Sequence, residues 1–295
     1  MPLISLDDAF AKFKSRLELN DREQKDASRR HYELRDHVKA AFTVDRDVLT
    51  GSYARHTKTK PLKDVDVFFT LSRDAHGDYL AEKPSVLLGD VKTCLVDAYG
   101  RSCVDLGRRS VGVELGVAGQ DDRVLSLDAV PAFAENGHYL IPDGWDETWV
   151  KTDPERHAAL ATNANKAFGK QWKPMVKMVK KWNEHHGKPI KPSFLIEVMA
   201  LELLRPPFSG GYVYELKAFF ATARDRIRET WDDPVGLGTP VSDRMDAAQC
   251  SIAEAALDDA GRHVDRAVQA KRAGRNGDAL DIWRNDVFGP LFPLS

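Results

Sequence analysis

The first forty residues carry their apolar positions at helical spacing. Asn20 and Glu23 have the spacing of a capping box, and Ala27, Leu34, Val38 and Phe42 then fall near one side of a long helix. Shorter apolar runs follow. VLT (48–50) precedes Gly51, and VDVFFTL (65–71) comes after a basic, turn-rich stretch. Residues 86–99 predict a helix. SCVDL (102–106), SVGVELGV (110–117) and VLSLDAVPAF (124–133) alternate or run apolar, as strands of a sheet do. Residues 134–153 read as loop, because Asn136-Gly137 and Pro142-Asp143-Gly144 are turn signals.

From Asp153 onward the pattern is mostly helical. DPERHAALATNANKAFGK starts with an acid and a proline, as helix N-termini do. In WKPMVKMVKKWNEHH, Met175, Val179 and Trp182 fall on one side, with Lys173, Lys177, Lys180 and Lys181 towards the other. Pro192-Ser193 opens a strongly apolar helix, residues 215–228 continue the periodicity, and DPVGLGTPVS (233–242) is a Gly/Pro loop before a final helix near 243–273. No repeat or low-complexity segment is visible. A strand-rich first half and a helical second half predict an α+β protein. A mixed sheet with helices would occupy residues 1–150 and a helical lobe residues 151–295.

Composition narrows this picture little: 295 residues, 42% hydrophobic and 30% charged, are those of a soluble globular protein. The N-terminal stretch has acids where a signal peptide needs an apolar segment, and no apolar run approaches the ~20 residues that span a bilayer. A cytoplasmic location without membrane contact is expected. Cys94, Cys103 and Cys250 lie at scattered spacings with no CxxC pair, which argues against a disulfide framework or a zinc site. Charge matters more. Eight lysines and a single acid, Glu184, lie between Lys166 and Lys191, although the whole chain has a formal charge of −2. Such clustering suits an anionic ligand, and equally a solvated helix face.

The candidate chemistry sits in LTGSYARHTKTKPLKDVDVFFTL (49–71). Asp64 and Asp66 interrupt an apolar run, and strand alternation would project both from one side while Val65 and Val67 face the core. Two carboxylates that close repel one another, a cost that a divalent cation removes. Asp128, in the apolar run VLSLDAVPAF, offers a third acid from another strand. Each feature alone is weak, since D-x-D is common in turns and Gly-Ser pairs are ubiquitous. Their order is more telling: strand, Gly51-Ser52, basic loop, Asp64-x-Asp66, then a later strand carrying Asp128.

That order, with eleven residues between Gly-Ser and D-V-D, resembles the polymerase β-type nucleotidyltransferase superfamily. VKMVKKWN (176–183), KPSFLIE (191–197), DPVGLG (233–238) and the terminal ALDIWRNDVFGPLFP resemble its oligoadenylate-synthetase-like branch, in particular the bacterial cGAS/DncV-like nucleotidyltransferases (CD-NTases). The resemblance spans essentially the whole chain. It implies a nucleotidyltransferase core with an N-terminal spine helix, and a helical C-terminal lobe.

By resemblance, Gly51 and Ser52 hold the donor triphosphate, and Asp64, Asp66 and Asp128 ligate two Mg²⁺ ions, for which Mn²⁺ can substitute. Lys177 and Lys180 face the triphosphate, Ser193 contacts phosphate and Phe194 stacks on the donor base. The residues themselves leave helix capping open for Ser193 and core packing open for Phe194. The implied activity is synthesis of a cyclic dinucleotide or trinucleotide from NTPs. The product would be a second messenger for antiphage defence that acts on a separate effector protein, with a regulatory partner protein possible and no stable DNA binding. Rival readings are transfer to a linear 2′-5′ oligonucleotide, an RNA end or a small molecule, and a non-catalytic nucleotide-sensing module.

Overall fold

The computed structural model describes residues 4–116, 124 and 126–295. Val117 and Leu125, read above as strand residues, lie outside the described residues. Contacts divide the chain into two compact units. One holds Leu19–Ala158 with Val235–Gly238. The other holds the chain up to Glu18 together with Ala159–Pro234 and Thr239–Ser295.

Helix α1 (Leu6–Leu17) belongs to the helical unit, where Phe10 and Phe13 join a core with Trp172, Trp182, Trp283, Phe288 and Phe292. The sheet unit begins with α2 (Asp21–Ala41), which has a complete capping box between Asn20 and Glu23. Then come β1 (Val44–Leu49), a single turn α3 (Gly51–Ala54), β2 (Val65–Leu71), short α4 (Arg73–His76) and α5 (Pro84–Tyr99). Five more strands follow: β3 (Val104–Leu106), β4 (Val111–Glu114), β5 (Ser126–Glu135), β6 (His138–Asp143) and β7 (Thr148–Thr152).

The strands run in the order β1-β2-β5-β4-β3, with β2 and β5 parallel and the other pairs antiparallel. β5 is long enough to pair twice. Its first part lies between β2 and β4, and Phe133–Glu135 pair with β6. Val65, Val67, Phe69, Leu127 and Ala129 are buried with Leu87, Leu88 and Val91 of α5 and Leu34 and Val38 of α2, which fixes the two parallel strands from behind.

Residues 134–153 are not loop. Asn136 (φ +47°) and Gly137 (φ +82°) form the tight corner of a β5–β6 hairpin, and residues 144–147 form the corner between β6 and β7. Asn136-Gly137 marks a corner as expected, whereas Pro142 and Asp143 belong to β6 and only Gly144 stands in the second corner; HYLIPD and TWVKT are short strands in which proline and charge obscure the alternation.

The helical unit holds the greater part of α6 (Pro154–Ala167), then α7 (Trp172–His185), α8 (Ser193–Leu203), α9 (Tyr212–Arg226), α10 (Ala247–Arg272) and α11 (Asn276–Ile282), which runs into a π-helical turn, Trp283–Phe288. The simple two-sided reading of α7 fails. Lys177 and Lys180 are buried at 2% and 5% exposure, each held by an acid, because Glu18 and Glu197 are supplied to the polar side of the helix. Among the described residues, no helix is long and apolar enough to cross a membrane.

Candidate active site

The sheet brings two acids side by side. In the parallel pairing of β2 with β5, Asp66 is the register partner of Asp128. Val65 and Val67 on one strand, and Leu127 and Ala129 on the other, point into the core, so alternation turns both carboxylates to the opposite face. Asp64 stands one residue before β2 with φ +50°, so a left-handed turn rather than strand alternation sets its course. Ser126 ties it to β5: its Oγ accepts from the Asp64 N–H at 2.7 Å and donates to Asp64 Oδ1 at 3.0 Å. Ser110 Oγ donates to Asp128 Oδ1 at 3.0 Å.

Gly51 closes the site from a third direction. Its φ is +61°, and a Cβ built there would lie 1.6 Å from Asp66 Oδ2. Only glycine offers both that backbone conformation and that approach. Ser52 follows it in the single turn of α3, half-buried, and the Thr50 N–H donates to the Asp66 carbonyl at 2.9 Å. The loop beyond supplies positive charge from Arg55 and Lys58.

The electrostatics follow from this crowding. Burial raises the Asp66 pKa and the charge of Asp64 adds to it, while Lys58 and Arg55 pull the other way. Burial pushes Asp128 up to about 6, reinforced by Asp66 and opposed by the Ser110 hydrogen bond. Among the described residues, no three His, Cys, Asp or Glu side chains stand as a ready-made metal cluster. The donor chemistry nonetheless suits a hard divalent cation: every candidate ligand is a carboxylate oxygen, and two of the three carry proton affinities that such a charge would lower.

The predicted residues of the helical unit lie in different settings. Lys177 Nζ donates to Glu18 Oε2 and Lys180 Nζ to Glu197 Oε1, both at 2.7 Å. Ser193 is the exposed first residue of α8, with Pro192 in the capping position, so Ser193 is not the N-cap. Phe194 packs partly buried against the helical core, and Trp182 is fully buried in it. Sequence reasoning missed Ser110, Ser126 and Lys58. Ser126 was within reach of it, two residues before Asp128 on the same strand and face. Nothing in the sequence marks Ser110, since its pairing depends on how β4 meets β5.

A mixed sheet with two register-paired acids, a third beside them and a glycine turn pressed on one carboxylate defines a nucleotidyltransferase fold, and the second half is helical as in that class. The chain belongs to the SMODS family, the Second Messenger Oligonucleotide or Dinucleotide Synthetase domain, whose model matches residues 4–165. It is an enzyme of the nucleotidyltransferase class and a CD-NTase. It is similar to a cyclic AMP-AMP-AMP synthase of an Acinetobacter species, at 28% identity over 92% of this chain and 80% of that one. It also resembles a probable cyclic nucleotide synthase of Bacillus cereus, at 27% identity over 82% and 81%. In fold it matches Escherichia coli MS115-1 CdnC solved with ATP, with a TM-score of 0.71, 20% identity and coverage of 98% and 99%. The same protein in a complex with HORMA-deltaN matches with a TM-score of 0.68, 20% identity and coverage of 97% and 98%.

Proposed function

We propose that this enzyme joins nucleoside triphosphates into a cyclic dinucleotide or trinucleotide and releases pyrophosphate. Asp64, Asp66 and Asp128 would hold two Mg²⁺ ions, with Mn²⁺ able to substitute. Bound Mg²⁺ lowers the pKa of an attacking hydroxyl and neutralises charge on the departing pyrophosphate. The protein's own part is positioning. Gly51 and Ser52 offer backbone N–H groups and a hydroxyl at the edge of the carboxylate face, suited to phosphate oxygens. Arg55 and Lys58 add positive charge there. Asp128, with one oxygen fixed by Ser110, is suited to accept the hydroxyl proton.

On the helical unit, Lys177 and Lys180 are the cations read as triphosphate ligands, Ser193 as a phosphate contact and Phe194 as a stacking partner for the base. Each lysine already has an acid partner, so binding phosphate would mean sharing or exchanging Glu18 and Glu197.

The observation that carries this reading is the register pairing of Asp66 with Asp128. The names of the two curated relatives support cyclic products. A cytoplasmic second-messenger role in antiphage defence through a separate effector belongs to the same reading. So does a regulatory partner protein, suggested by the HORMA complex of CdnC. The test is mass spectrometry of products from pure protein with all four NTPs and Mg²⁺. A phosphatase-resistant cyclic oligonucleotide is expected, absent from a folded Asp64→Ala/Asp66→Ala variant. A linear product, or synthesis that survives in the variant, would refute it.

A further inference from the structure

Asp143, at the end of β6, is fully buried and is no part of the carboxylate face. It accepts from Arg108 Nε at 2.8 Å and from Arg109 Nε at 3.0 Å, and its Oδ1 also takes the N–H groups of Trp145 and Asp146 at 3.2 Å each. Burial raises its pKa, but the Arg108, Asp146 and Arg109 hydrogen bonds outweigh that and keep it below the usual carboxylate range. Arg108 and Arg109 are the centre of the β3–β4 turn. The Gly107 N–H donates to the Ser110 carbonyl at 2.9 Å, and the Gly144 N–H crosses from the β6–β7 corner to the Arg108 carbonyl at 2.8 Å. The next residue is Ser110, whose Oγ donates to Asp128 Oδ1.

A tight β-hairpin closes with backbone hydrogen bonds alone. It does not need a buried carboxylate between two guanidiniums, an arrangement whose desolvation cost is large and whose gain depends on exact geometry. What the arrangement adds is a fixed position for the turn relative to the second hairpin, and the turn is what presents the Ser110 hydroxyl. We propose that Asp143 is a positioning residue for the reaction: it clamps the Arg108-Arg109 turn, the turn presents Ser110, and Ser110 orients Asp128 for its cation. The inference rests on the reading of Asp128 as a metal ligand. It adds to that reading a chain of three contacts that starts in the β6–β7 corner. Ser110 engages only Oδ1 of Asp128, so the hydrogen bond orients the carboxylate and leaves Oδ2 for another partner.

The test is Mn²⁺ binding to the full chain without nucleotide, followed by electron paramagnetic resonance of the free ion, with thermal unfolding in parallel. Ser110→Ala is expected to weaken Mn²⁺ binding about ten-fold, the lower end of what losing an outer partner costs a metal site. Asp143→Asn is expected to weaken it by a similar factor. The double variant is expected to be no worse than about two-fold beyond either single one, because both act through one contact. Ser110→Thr, which keeps the hydroxyl, should bind like wild type. Arg109→Gln gives the same readout should Asp143→Asn fail to fold.

Multiplying losses in the double variant would overturn the proposal. So would Asp143→Asn or Arg109→Gln lowering the melting temperature with wild-type Mn²⁺ affinity, or Ser110→Ala binding normally. If wild type binds no Mn²⁺, or if Asp128→Asn does not weaken its binding, the metal reading itself fails and this inference with it. Intact, Asp128-dependent binding in wild type with unaffected positioning variants isolates failure of the inference alone.

Discussion

A methyl group at position 51 would occupy the space of Asp66 Oδ2, on a backbone already in the left-handed region. Gly51→Ala is therefore expected to displace a carboxylate proposed above as a metal ligand, as well as strain a turn. Displacements of about 1 Å cost catalysis roughly 100-fold, whereas the strained backbone costs stability only about 1–2 kcal/mol. Pyrophosphate release should fall at least that far while the melting temperature drops by a few degrees; near-normal turnover would show that the contact is incidental. Asp128 gives a second prediction at this scale. Its pKa in the fold is about 6 against an ordinary 3.8, so the folded state holds its proton more tightly than the unfolded one. For the metal-free protein, stability falls as pH rises from about 4 to about 6, and the whole penalty is present above that window. Asn at position 128 can still accept from Ser110 but carries no charge. Asp128→Asn in EDTA should thus be more stable than wild type by about 1–3 kcal/mol at pH 8, and equal to it at pH 4. Urea titrations at the two pH values measure this, and an Asn variant no more stable at pH 8 contradicts it.

Helix α7 shows where pattern reading reaches its limit. Helical spacing located the helix, the apolar side and Trp182 at its core. It could not tell that two lysines on the polar side would meet Glu18 and Glu197, because those partners come from elsewhere in the chain. The same reason hid β6 and β7. Asn136-Gly137 was visible, but the six residues of β6, with a proline and a buried Asp143, are recognised as a strand only once β5 stands beside them, and β7 only once β6 does. The acids were legible because charge inside an apolar run is costly wherever the run folds; Ser110, whose contact with Asp128 depends on how β4 meets β5, was not. The Lys180–Glu197 pair can be separated into structural and functional parts. Glu197→Ala removes the acid that holds a buried ammonium and should cost about 3–5 kcal/mol, whereas Lys180→Met with Glu197→Leu removes both charges and should restore most of that. If the double variant folds like wild type yet makes no product, Lys180 serves the nucleotide; if it is active, the pair serves only the fold. Denaturation curves and product yield on the same samples decide this.

At the scale of the molecule, the split into a strand-rich part and a helical part was legible from apolar periodicity. The membership of α1 was not, since its apolar face is generic and only packing assigns Phe10 and Phe13 to the helical core. All three acids and both supporting serines lie in the sheet unit, on strands or turns that share the core behind β2 and β5. A cation that relieves repulsion between Asp66 and Asp128 therefore stabilises that unit directly. Ligand concentrations of ~10–100 times Kd raise stability by about 1.4–2.7 kcal/mol, provided the unfolded chain does not bind. For domains of this size each kcal/mol corresponds to roughly 2–4 °C. Millimolar Mg²⁺ without nucleotide should thus raise the sheet unit's melting temperature by several degrees, with no rise in Asp66→Asn/Asp128→Asn. Hydrogen exchange should report the gain as slower exchange in β2 and β5, the strands that carry the register pair, with α9 and α10 unchanged. Equal protection across both units, or a shift that persists in the double Asn variant, would mean that the ion binds elsewhere. The carboxylate face would then lose its claim to the chemistry.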